Sequence, residues 1–382
     1  MLITSLDGGG AERAVSVLST HLNQNISSEV ILLSGNNISY PTRSPPISLN
    51  VITSNFKNKH IDYVKYLLLG AIRYRRIIKR YNPDCSMSFL VLDNFINLLS
   101  NLGSKNTTTI ISVHTALSKK FQKSSICRVY VNLVKLLYRR ADIVIAVSEG
   151  VKQELIEEYG IIENKVHVIY NPIDSINIKI LSLECVEDEP WYHEDIPVVI
   201  TVGRLSVAKG HWHLIRAFKK VVNETKCRLL ICGDGDLKPY LQNLINDLNL
   251  NDYIKLAGWK HNPYKYMSRS EIYVLSSLWE ALPYALIEAM TCGCPIISTD
   301  CDYGPAEILD GGKYGVLIPT PDGSFYDSNT PLTAEEDKMA RAILNFLNKQ
   351  SLRKHYSNLA EKRSTDFDFE DSLIKYENLI LK

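Results

Sequence analysis

The feature that most constrains the fold is an alternation of short apolar runs with longer amphipathic stretches along the whole chain. The short runs are rich in Val and Ile and are apolar at successive positions, which is typical of parallel strands buried on both faces. The stretches between them have helical periodicity. Strands are predicted at 30–33, 109–113, 143–147, 166–169, 198–202, 228–232, 254–257, 272–275 and 295–299. Helices are predicted at 11–23, 63–81, 129–140, 151–159, 211–223, 238–248 and 284–292, with helical pattern again from about 334.

This alternation predicts a doubly wound α/β architecture, and its one interruption predicts two domains. A chain of 382 residues exceeds what one hydrophobic core usually supports. Residues 175–197 lack a clear period and combine acidic residues with two prolines, so they are predicted to be an interdomain linker. We therefore expect domains at 1–174 and 198–360, and a C-terminal helix at 361–382 that crosses back to the first domain.

Composition excludes several classes of protein. With 45% apolar and 22% charged residues, the chain is neither disordered nor fibrous. Its eight cysteines are scattered and lack the paired spacing of a zinc site, which favours reduced thiols. The N-terminus shows no signal segment, and the apolar stretches are far shorter than the roughly 20 residues that span a bilayer. We expect a soluble or peripheral protein whose body lies in the cytoplasm.

Three segments place glycines, cations or carboxylates where a predicted strand ends. The first, GGGAER at 8–13, follows a candidate strand at 2–5 that is either unusually short or preceded by chain upstream of Met1. Its glycines suit either an anion cradle at a helix N-terminus or an ordinary tight turn. The second, VGRLSVAKG at 202–210, places Arg204 and Lys209 after a strand. Either cation alone suits a solvated surface, but the two after a glycine turn favour a diphosphate site.

The third segment, LWEALPYALIEAM at 278–290, carries two carboxylates beside a helix start. Pro283 fits the first helical position, Gly293 fits the position that follows the helix, and Glu280 lies in the loop ahead of the helix. Glu288 then falls on the second turn. Carboxylates accept hydrogen bonds from vicinal hydroxyls, so a sugar or ribose would explain them. The alternative is a dipole contact by Glu280 and a merely exposed Glu288.

These segments resemble glycosyltransferase family 4, the retaining, nucleotide-sugar-dependent transferases of the GT-B fold, and in particular its bacterial surface-polysaccharide subgroup. The Glu-x7-Glu signature of the family falls on Glu280 and Glu288, although Ala281 stands where the family usually has glycine. Similar segments in the family's order are ADIVIAVSEGVKQEL, VIYNPID, ICGDGD and CDYGPAEIL. The resemblance implies two Rossmann-like domains facing each other across a cleft, and a hexosyltransferase activity.

The resemblance also implies roles for individual residues. Arg204 and Lys209 would bind the diphosphate, Glu288 would hold the ribose, and Glu280 would face the donor sugar at its reacting centre. His114, at the end of a predicted strand, would contact the donor sugar, although a single histidine there is more often structural. The other implied donor-binding positions are the amides of Leu282, Tyr284 and Ala285 and the glycines Gly9, Gly10, Gly233 and Gly258.

No metal or other cofactor is expected, because two cations and helix-end amides can offset the charge that develops on a diphosphate leaving group. The letters of a DxD metal motif occur at Asp234 and Asp236, but this segment reads as the family's glycine turn. Retention through front-face attack, with the donor phosphate helping to take the acceptor proton, is implied by the family.

The net charge of +1 conceals two halves of opposite sign. Residues 1–170 hold 20 Lys and Arg against 12 Asp and Glu, which gives +8, and residues 171–382 hold 23 against 30, which gives −7. The basic excess is concentrated in 57–80 and 119–140, both with helical periodicity. Basic amphipathic helices are typical of binding to an anionic membrane surface, and the alternative is two solvated helix faces. Neither segment matches a nucleic-acid-binding module, so no nucleic acid is expected.

Together the resemblance and the charge pattern imply a retaining glycosyltransferase at the inner face of the cytoplasmic membrane. It would transfer a hexose or N-acetylhexosamine from a UDP-sugar to a polyprenyl-diphosphate-linked oligosaccharide, in O-antigen- or capsule-type polysaccharide (lipopolysaccharide) synthesis. Two alternatives stay open at this point. One is an enzyme that uses GDP-mannose or a soluble acceptor, and the other is a non-catalytic sugar-nucleotide-binding or scaffold protein.

Overall fold

A computed structural model of the chain describes residues 1–35, 38–52, 59–121 and 127–381. These residues form two compact units, one of residues 1–173 with 369–382 and one of residues 174–368. Each described unit is a parallel sheet with helices, as the alternation of patterns predicts.

In the first unit the strands are β1 (Leu2–Ile3), β2 (Ile31–Leu32), β3 (Ile47–Ser48), β4 (Cys85–Ser88), β5 (Thr108–Val113), β6 (Ile143–Ala146) and β7 (Val166–Val168). The helices between them are α1 (Gly10–His21), α2 (Lys59–Tyr81), α3 (Val91–Ser100), α4 (Leu117–Phe121), α5 (Cys127–Tyr138) and α6 (Glu149–Glu157). The strand order is β3-β2-β1-β4-β5-β6-β7, and all described pairs are parallel. The order therefore reverses between β1 and β4, directly before the glycines of α1.

The second unit repeats this arrangement with the elements α7 (Ser175–Ser182), β8 (Val198–Val202), α8 (His211–Glu224), β9 (Arg228–Cys232), α9 (Lys238–Asp247), β10 (Ile254–Gly258), α10 (Tyr264–Met267), β11 (Ile272–Leu275), α11 (Tyr284–Thr291), β12 (Ile296–Thr299), α12 (Pro305–Ile308), β13 (Val316–Ile318), α13 (Ala334–Asn348) and α14 (Gln350–Ser364). Its strand order is β10-β9-β8-β11-β12-β13, again parallel. The reversal lies between β8 and β11. Ligands of such sheets bind outside the carboxyl ends of the strands at this point.

The last helix, α15 (Phe369–Ile380), belongs to the first unit. Leu373 and Tyr376 are buried in the core beneath β1 and α1, and the Glu377 carboxylate accepts a hydrogen bond of 2.7 Å from the Asn23 amide. We expected a C-terminal helix at 361–382. The structure instead ends α14 at Ser364 and begins the returning helix at Phe369.

The sequence-based prediction missed β4 and α3 entirely. β4 has the sequence CSMS, which lacks β-branched residues. α3 has only 10 residues, fewer than the windows in which helical periodicity is counted, and it is buried on nearly every side. Its polar residues are buried too: the Asn97 side chain donates hydrogen bonds of 3.1 Å to the carbonyls of Ser86 and Ile110.

Residues 175–197, predicted to be a linker, are folded within the second unit. They include the helix α7 and a 3-10 turn at Pro190–His193. The sequence pattern hid this because acidic residues suggested solvent exposure, whereas the structure pairs them with cations of the second unit.

Two carboxylates show how this acidic segment is held. Asp188 accepts hydrogen bonds from the Lys260 ammonium at 2.8 Å and from the Tyr266 hydroxyl at 2.6 Å. These bonds, with that of Lys260 the strongest, hold the pKa of Asp188 below its usual range. Glu194 pairs in a bidentate fashion with Arg228, both distances being 2.8 Å. Asp188 and Glu194 therefore balance the charges of cations in the second unit.

The irregular segment at 319–331 is anchored by a buried ion pair. Arg216, 1% exposed, donates from Nε to Oε1 of the fully buried Glu336 at 2.9 Å and from Nη2 to the Thr330 carbonyl at 3.0 Å. The Trp212 indole donates to the Ser324 carbonyl at 2.8 Å. Helix α8 thus fixes the loop through polar contacts that no sequence pattern revealed.

Candidate active site

The topological reversal of the second unit brings two of the predicted site segments together. β8 and β11 are neighbours in the sheet, so the segments that follow them start side by side. The Leu278 amide donates to the Ala208 carbonyl at 2.7 Å, and the Ser276 hydroxyl donates to the Lys209 carbonyl at 2.8 Å. A Cβ on Gly210, where φ is +56°, would lie 2.4 Å from the Ser276 carbonyl oxygen, so this close approach requires glycine.

Lys209 and Glu280 form an ion pair at this junction. The Lys209 Nζ donates to Glu280 Oε1 at 2.6 Å, and the Ser277 hydroxyl donates to the same oxygen at 2.6 Å. The side chains are 21% and 11% exposed, so the pair is accessible yet partly shielded from water. The charge of Lys209 is therefore balanced by a carboxylate in this structure. The sequence gave no means of predicting this ion pair, because the two residues are separated by 71 positions.

Arg204 and two of the predicted glycines lie at the same edge of the sheet. The Gly203 amide donates to the Cys232 carbonyl at 3.0 Å, and the Gly233 amide donates to the Gly258 carbonyl at 2.8 Å. A Cβ on Gly233 would lie 1.9 Å from the Gly203 carbonyl oxygen. The Arg204 side chain beside this turn is exposed, and no ion pair holds it within the part of the chain that the structure describes.

Helix α11 starts one residue later than expected. Pro283 is its N-cap, with φ −72° and ψ 106°, and not its first helical residue. The predicted amide positions Leu282, Tyr284 and Ala285 therefore flank the helix start. At the other end the prediction is confirmed: Gly293, at φ +74°, donates to the Met290 carbonyl as the residue that follows the helix.

Glu288 lies on the second turn of α11, as predicted, but it is not an exposed carboxylate. It is 3% exposed, and the Tyr264 hydroxyl, from α10, lies 3.4 Å from Glu288 Oε1 as a donor. A buried carboxylate costs free energy unless polar groups surround it. The structural alternative of a solvated Glu288 is therefore wrong, and Tyr264 is a site residue that sequence reasoning missed.

His211 is a second residue that sequence reasoning missed. It follows Lys209 and Gly210 as the first residue of α8 and is 2% exposed. Burial and the Lys209 charge lower the pKa of His211 to about 3, so it is neutral at physiological pH. Its Nδ1 is buried without a hydrogen-bond partner among the described residues.

In the first unit, the glycine segment forms the predicted turn into a helix. Gly9 is the N-cap of α1 and Gly10 is its first residue. A Cβ on Gly9 would lie 2.2 Å from a carboxylate oxygen of Glu12, so that side chain folds over the start of the helix. An anion at this helix start would have to displace the Glu12 carboxylate, a competitor that the glycine pattern did not reveal.

His114 follows β5 and lines a cavity of about 30 Å³ with Phe89, Asn94 and Tyr138. Its Nε2 lies 2.9 Å from the Ser112 hydroxyl, and its Nδ1 has no hydrogen-bond partner among the residues described. Burial lowers the pKa of His114 to about 3. The ring is thus neutral, and its unused Nδ1 is buried beside a cavity large enough for a water molecule but not for a sugar.

The glycine turn with the DxD letters does not assemble carboxylates. Asp234 accepts a hydrogen bond of 2.8 Å from the Gly235 amide and one of 3.2 Å from the Lys238 ammonium. Across the described ranges, no group of three or more His, Cys, Asp or Glu residues has metal-binding geometry.

None of the described helices combines the length and apolar character needed to cross a bilayer.

Comparison with known proteins finds a matching family model for each of the two units. The family model described as Glycosyltransferase Family 4 matches residues 8–175, and that described as Glycosyl transferases group 1 matches residues 188–363. The N-acetylgalactosamine-N,N'-diacetylbacillosaminyl-diphospho-undecaprenol 4-alpha-N-acetylgalactosaminyltransferase of Campylobacter jejuni is 30% identical, over 96% of this chain and 95% of its own. An uncharacterized glycosyltransferase of Methanocaldococcus jannaschii is 34% identical over 86% and 87%.

Among solved structures, that of Anabaena HepE in complex with UDP and glucose aligns with a TM-score of 0.76 at 18% identity, over 99% of this chain and 98% of that one. At such low identity the likeness shows the fold alone. The expected GT-B fold is thereby confirmed.

Proposed function

The chain belongs to glycosyltransferase family 4 and is therefore a glycosyltransferase, and on that premise we propose the reaction that it catalyses. It transfers a hexose or N-acetylhexosamine, with retention of anomeric configuration, from a UDP-sugar to a polyprenyl-diphosphate-linked oligosaccharide. The reaction takes place at the inner face of the cytoplasmic membrane and contributes to the synthesis of a surface polysaccharide. Neither a metal ion nor another cofactor is required.

The observation that carries the donor proposal is the arrangement of two carboxylates and a cation at the topological reversal of the second unit. Glu288 is buried beside the start of α11, and Glu280 is held by Lys209 and Ser277 where β8 and β11 end. A nucleoside diphosphate sugar offers each a partner: the ribose hydroxyls for Glu288, the diphosphate for Lys209 and Arg204, and the sugar for Glu280. We propose uridine as the nucleoside by analogy with HepE, whose structure is a complex with UDP and glucose.

In the proposed reaction, catalysis comes from charged side chains close to the reacting bond. As the bond between sugar and diphosphate breaks, negative charge grows on the leaving group. Lys209 and Arg204 stabilise that charge in place of a metal ion. Glu280 stays beside the reacting centre, and the donor phosphate helps to take the acceptor proton on the face from which the leaving group departs.

The lipid-linked acceptor is supported by the Campylobacter relative, whose name specifies a diphospho-undecaprenol substrate. It is also supported by the exposed face of α2. Val64, Leu68 and Ile72 are each more than half exposed at helical spacing. Arg75 and Arg76 continue that face, and both are exposed with no ion pair among the described residues. Apolar and unpaired basic side chains on one helix face complement an anionic bilayer surface.

The second basic stretch contributes less to this proposal. Part of it, residues 122–126, lies outside the described residues. On the described face of α5, the exposed side chains are Val129, Asn132 and Leu136, which are not cations. The charge argument for membrane binding therefore rests on α2.

The donor proposal is tested by release of nucleoside diphosphate from purified protein supplied with UDP- and GDP-sugars and a polyprenyl-diphosphate-linked acceptor. We expect Glu288→Ala and Lys209→Ala each to lose most activity while the thermal unfolding curve is retained. Lys338→Ala, an exposed lysine of α13, is the matched control and should keep full activity. Wild-type rates in the site variants would refute their roles. Absence of turnover with every donor would favour a binding or scaffold protein.

The membrane proposal is tested by co-sedimentation with vesicles of phosphatidylglycerol and phosphatidylcholine. Each basic residue near an anionic surface contributes about 1 kcal/mol, so Arg75→Ala with Arg76→Ala should weaken binding roughly 30-fold. The pair Lys338→Ala and Lys354→Ala removes the same charge from exposed positions of the second unit and should change nothing. Equal sedimentation of the two double variants, or none by the wild type, would refute this surface and favour a soluble acceptor.

A further inference from the structure

Tyr303 has a backbone conformation that its residue type disfavours. Its φ is +63°, in the left-handed region where a Cβ crowds the following carbonyl oxygen. The other non-glycine residues at positive φ among those described are Asn50, Asn82, Asn249 and Asp310. Asparagine and aspartate tolerate this region, whereas a bulky aromatic residue there is an outlier.

The strained residue lies beside the loop that carries Glu280. The Glu280 amide donates to the carbonyl of Asp302, the residue before Tyr303, at 3.3 Å, and Trp279 and Asp302 form a parallel bridge. On the other side, Gly304 leaves no room for a side chain, since a Cβ there would lie 2.9 Å from the Ala281 carbonyl oxygen. The backbone of Tyr303 is thus clamped against the candidate active-site loop from both ends.

The backbone conformation gives no reason for tyrosine at this position. Glycine adopts φ +63° without strain, and Gly304 already shows that the turn accommodates it. Strained residues persist where the surrounding structure holds them and where their side chains serve function. The Tyr303 side chain is half-buried, which leaves part of its surface accessible.

We propose that Tyr303 is a specificity-determining residue whose ring contacts the sugar of the bound donor. This rests on the proposed function, in which Glu280 faces that sugar. A phenol combines an apolar ring face, which packs on a pyranose, with a hydroxyl that bonds to a sugar hydroxyl. The contact is made to the sugar, so it affects a UDP-sugar and leaves UDP alone unaffected.

The test compares the binding of UDP with that of UDP-glucose, UDP-galactose and their N-acetylamino counterparts by titration calorimetry. Tyr303→Gly and Tyr303→Asn both remove the ring, and both introduce a residue that tolerates positive φ. Each should keep the Kd for UDP within about twofold and weaken the preferred UDP-sugar about tenfold. Tyr303→Gly should also raise the Tm by about 2–4 °C through relief of strain. Asp310→Gly relieves a left-handed residue elsewhere and should leave both Kd values unchanged.

The outcomes separate this inference from the proposed function. If both ring-less variants bind the UDP-sugar as tightly as the wild type does, relative to UDP, the role of Tyr303 is refuted while the donor site stands. A Tm of Tyr303→Gly below that of the wild type would refute the strain argument. If the wild type binds no UDP, the uridine donor is refuted, and the same comparison of GDP with GDP-mannose then decides the role of Tyr303.

Discussion

Replacing Glu280 by glutamine should tighten the binding of UDP while it abolishes most turnover. In the structure the Lys209 ammonium is engaged by Glu280 at 2.6 Å. A diphosphate that uses Lys209 must compete with this carboxylate and also tolerate its negative charge nearby. Glu280→Gln keeps the shape and a hydrogen-bonding oxygen but removes the charge. The site then becomes more positive before the ligand arrives, and the reacting centre loses its carboxylate.

The magnitude follows from the exposure of the pair. Fully exposed ion pairs are worth about 0–1 kcal/mol, and loss of one partner from a fully buried pair costs about 3–5 kcal/mol. With side chains 21% and 11% exposed, this pair lies between those limits. We assign it about 1.4 kcal/mol, which corresponds to a tenfold decrease in the Kd for UDP.

Titration calorimetry with UDP on four proteins measures this effect: the wild type, Glu280→Gln, Lys209→Ala and the double variant. Lys209→Ala should weaken binding. Adding Glu280→Gln to it should restore less than about threefold, because the freed ammonium is then absent. Thermal unfolding of each variant checks that the fold is intact. If Glu280→Gln leaves the Kd for UDP unchanged or increases it in a folded protein, Lys209 is not a diphosphate ligand held in reserve by Glu280.

Three further predictions concern residues that support the site or the fold. Arg216→Met should destabilise the second unit by about 3–5 kcal/mol in urea unfolding, since it strands the buried Glu336, and adding Glu336→Gln should recover part of the loss. Tyr264→Phe should weaken UDP binding about threefold to fivefold with little change in Tm, because the hydroxyl orients Glu288. A Kd for UDP equal to that of the wild type, or a large fall in Tm, would contradict this role. The pKa of Asp188 is lowered in the fold, so its stabilisation is present above its unfolded pKa of about 3.9 and is lost as the pH falls through its folded pKa. Asp188→Asn should therefore lower the free energy of unfolding in urea at neutral pH, and its difference from the wild type should shrink as the pH falls into that acid range; a difference that stays constant with pH would contradict this.

The sequence predicted the positions of the site segments because parallel topology is restrictive. Arg204, Lys209 and Glu280 each follow a β-branched run that reads as a buried strand, and such strands end at one edge of a sheet. The structure confirms these strands to within a residue or two. What the pattern could not predict is which side chains meet there, since those contacts join elements far apart in the chain.

The elements and contacts that the sequence analysis missed also have physical explanations. β4 was missed because it lacks β-branched residues, and α3 was missed because its 10 residues are fewer than the windows in which helical periodicity is counted. The segment at 175–197 was taken for a linker because its acidic residues were counted as solvated. In the structure Asp188 and Glu194 are paired with cations that come from β9 and from the loop after β10. Tyr264, which supports Glu288, lies 24 residues before it and carries no motif.

Pairing, more than net charge, determines which cations of this chain are available to a ligand. A cation that is already bonded within the fold, such as Arg216, gains little from an outside anion because it would first have to give up its internal partners. Arg75 and Arg76 on α2 are exposed and have no such partner among the described residues, so an anionic surface meets their full charge. Lys209 is the intermediate case, paired but partly exposed, and this allows a diphosphate to replace Glu280 at moderate cost. The acidic balance of the second half is therefore compatible with an anionic donor, because carboxylates such as Asp188, Glu194 and Glu336 are paired with cations of the same unit, and Glu280 at the site is paired with Lys209.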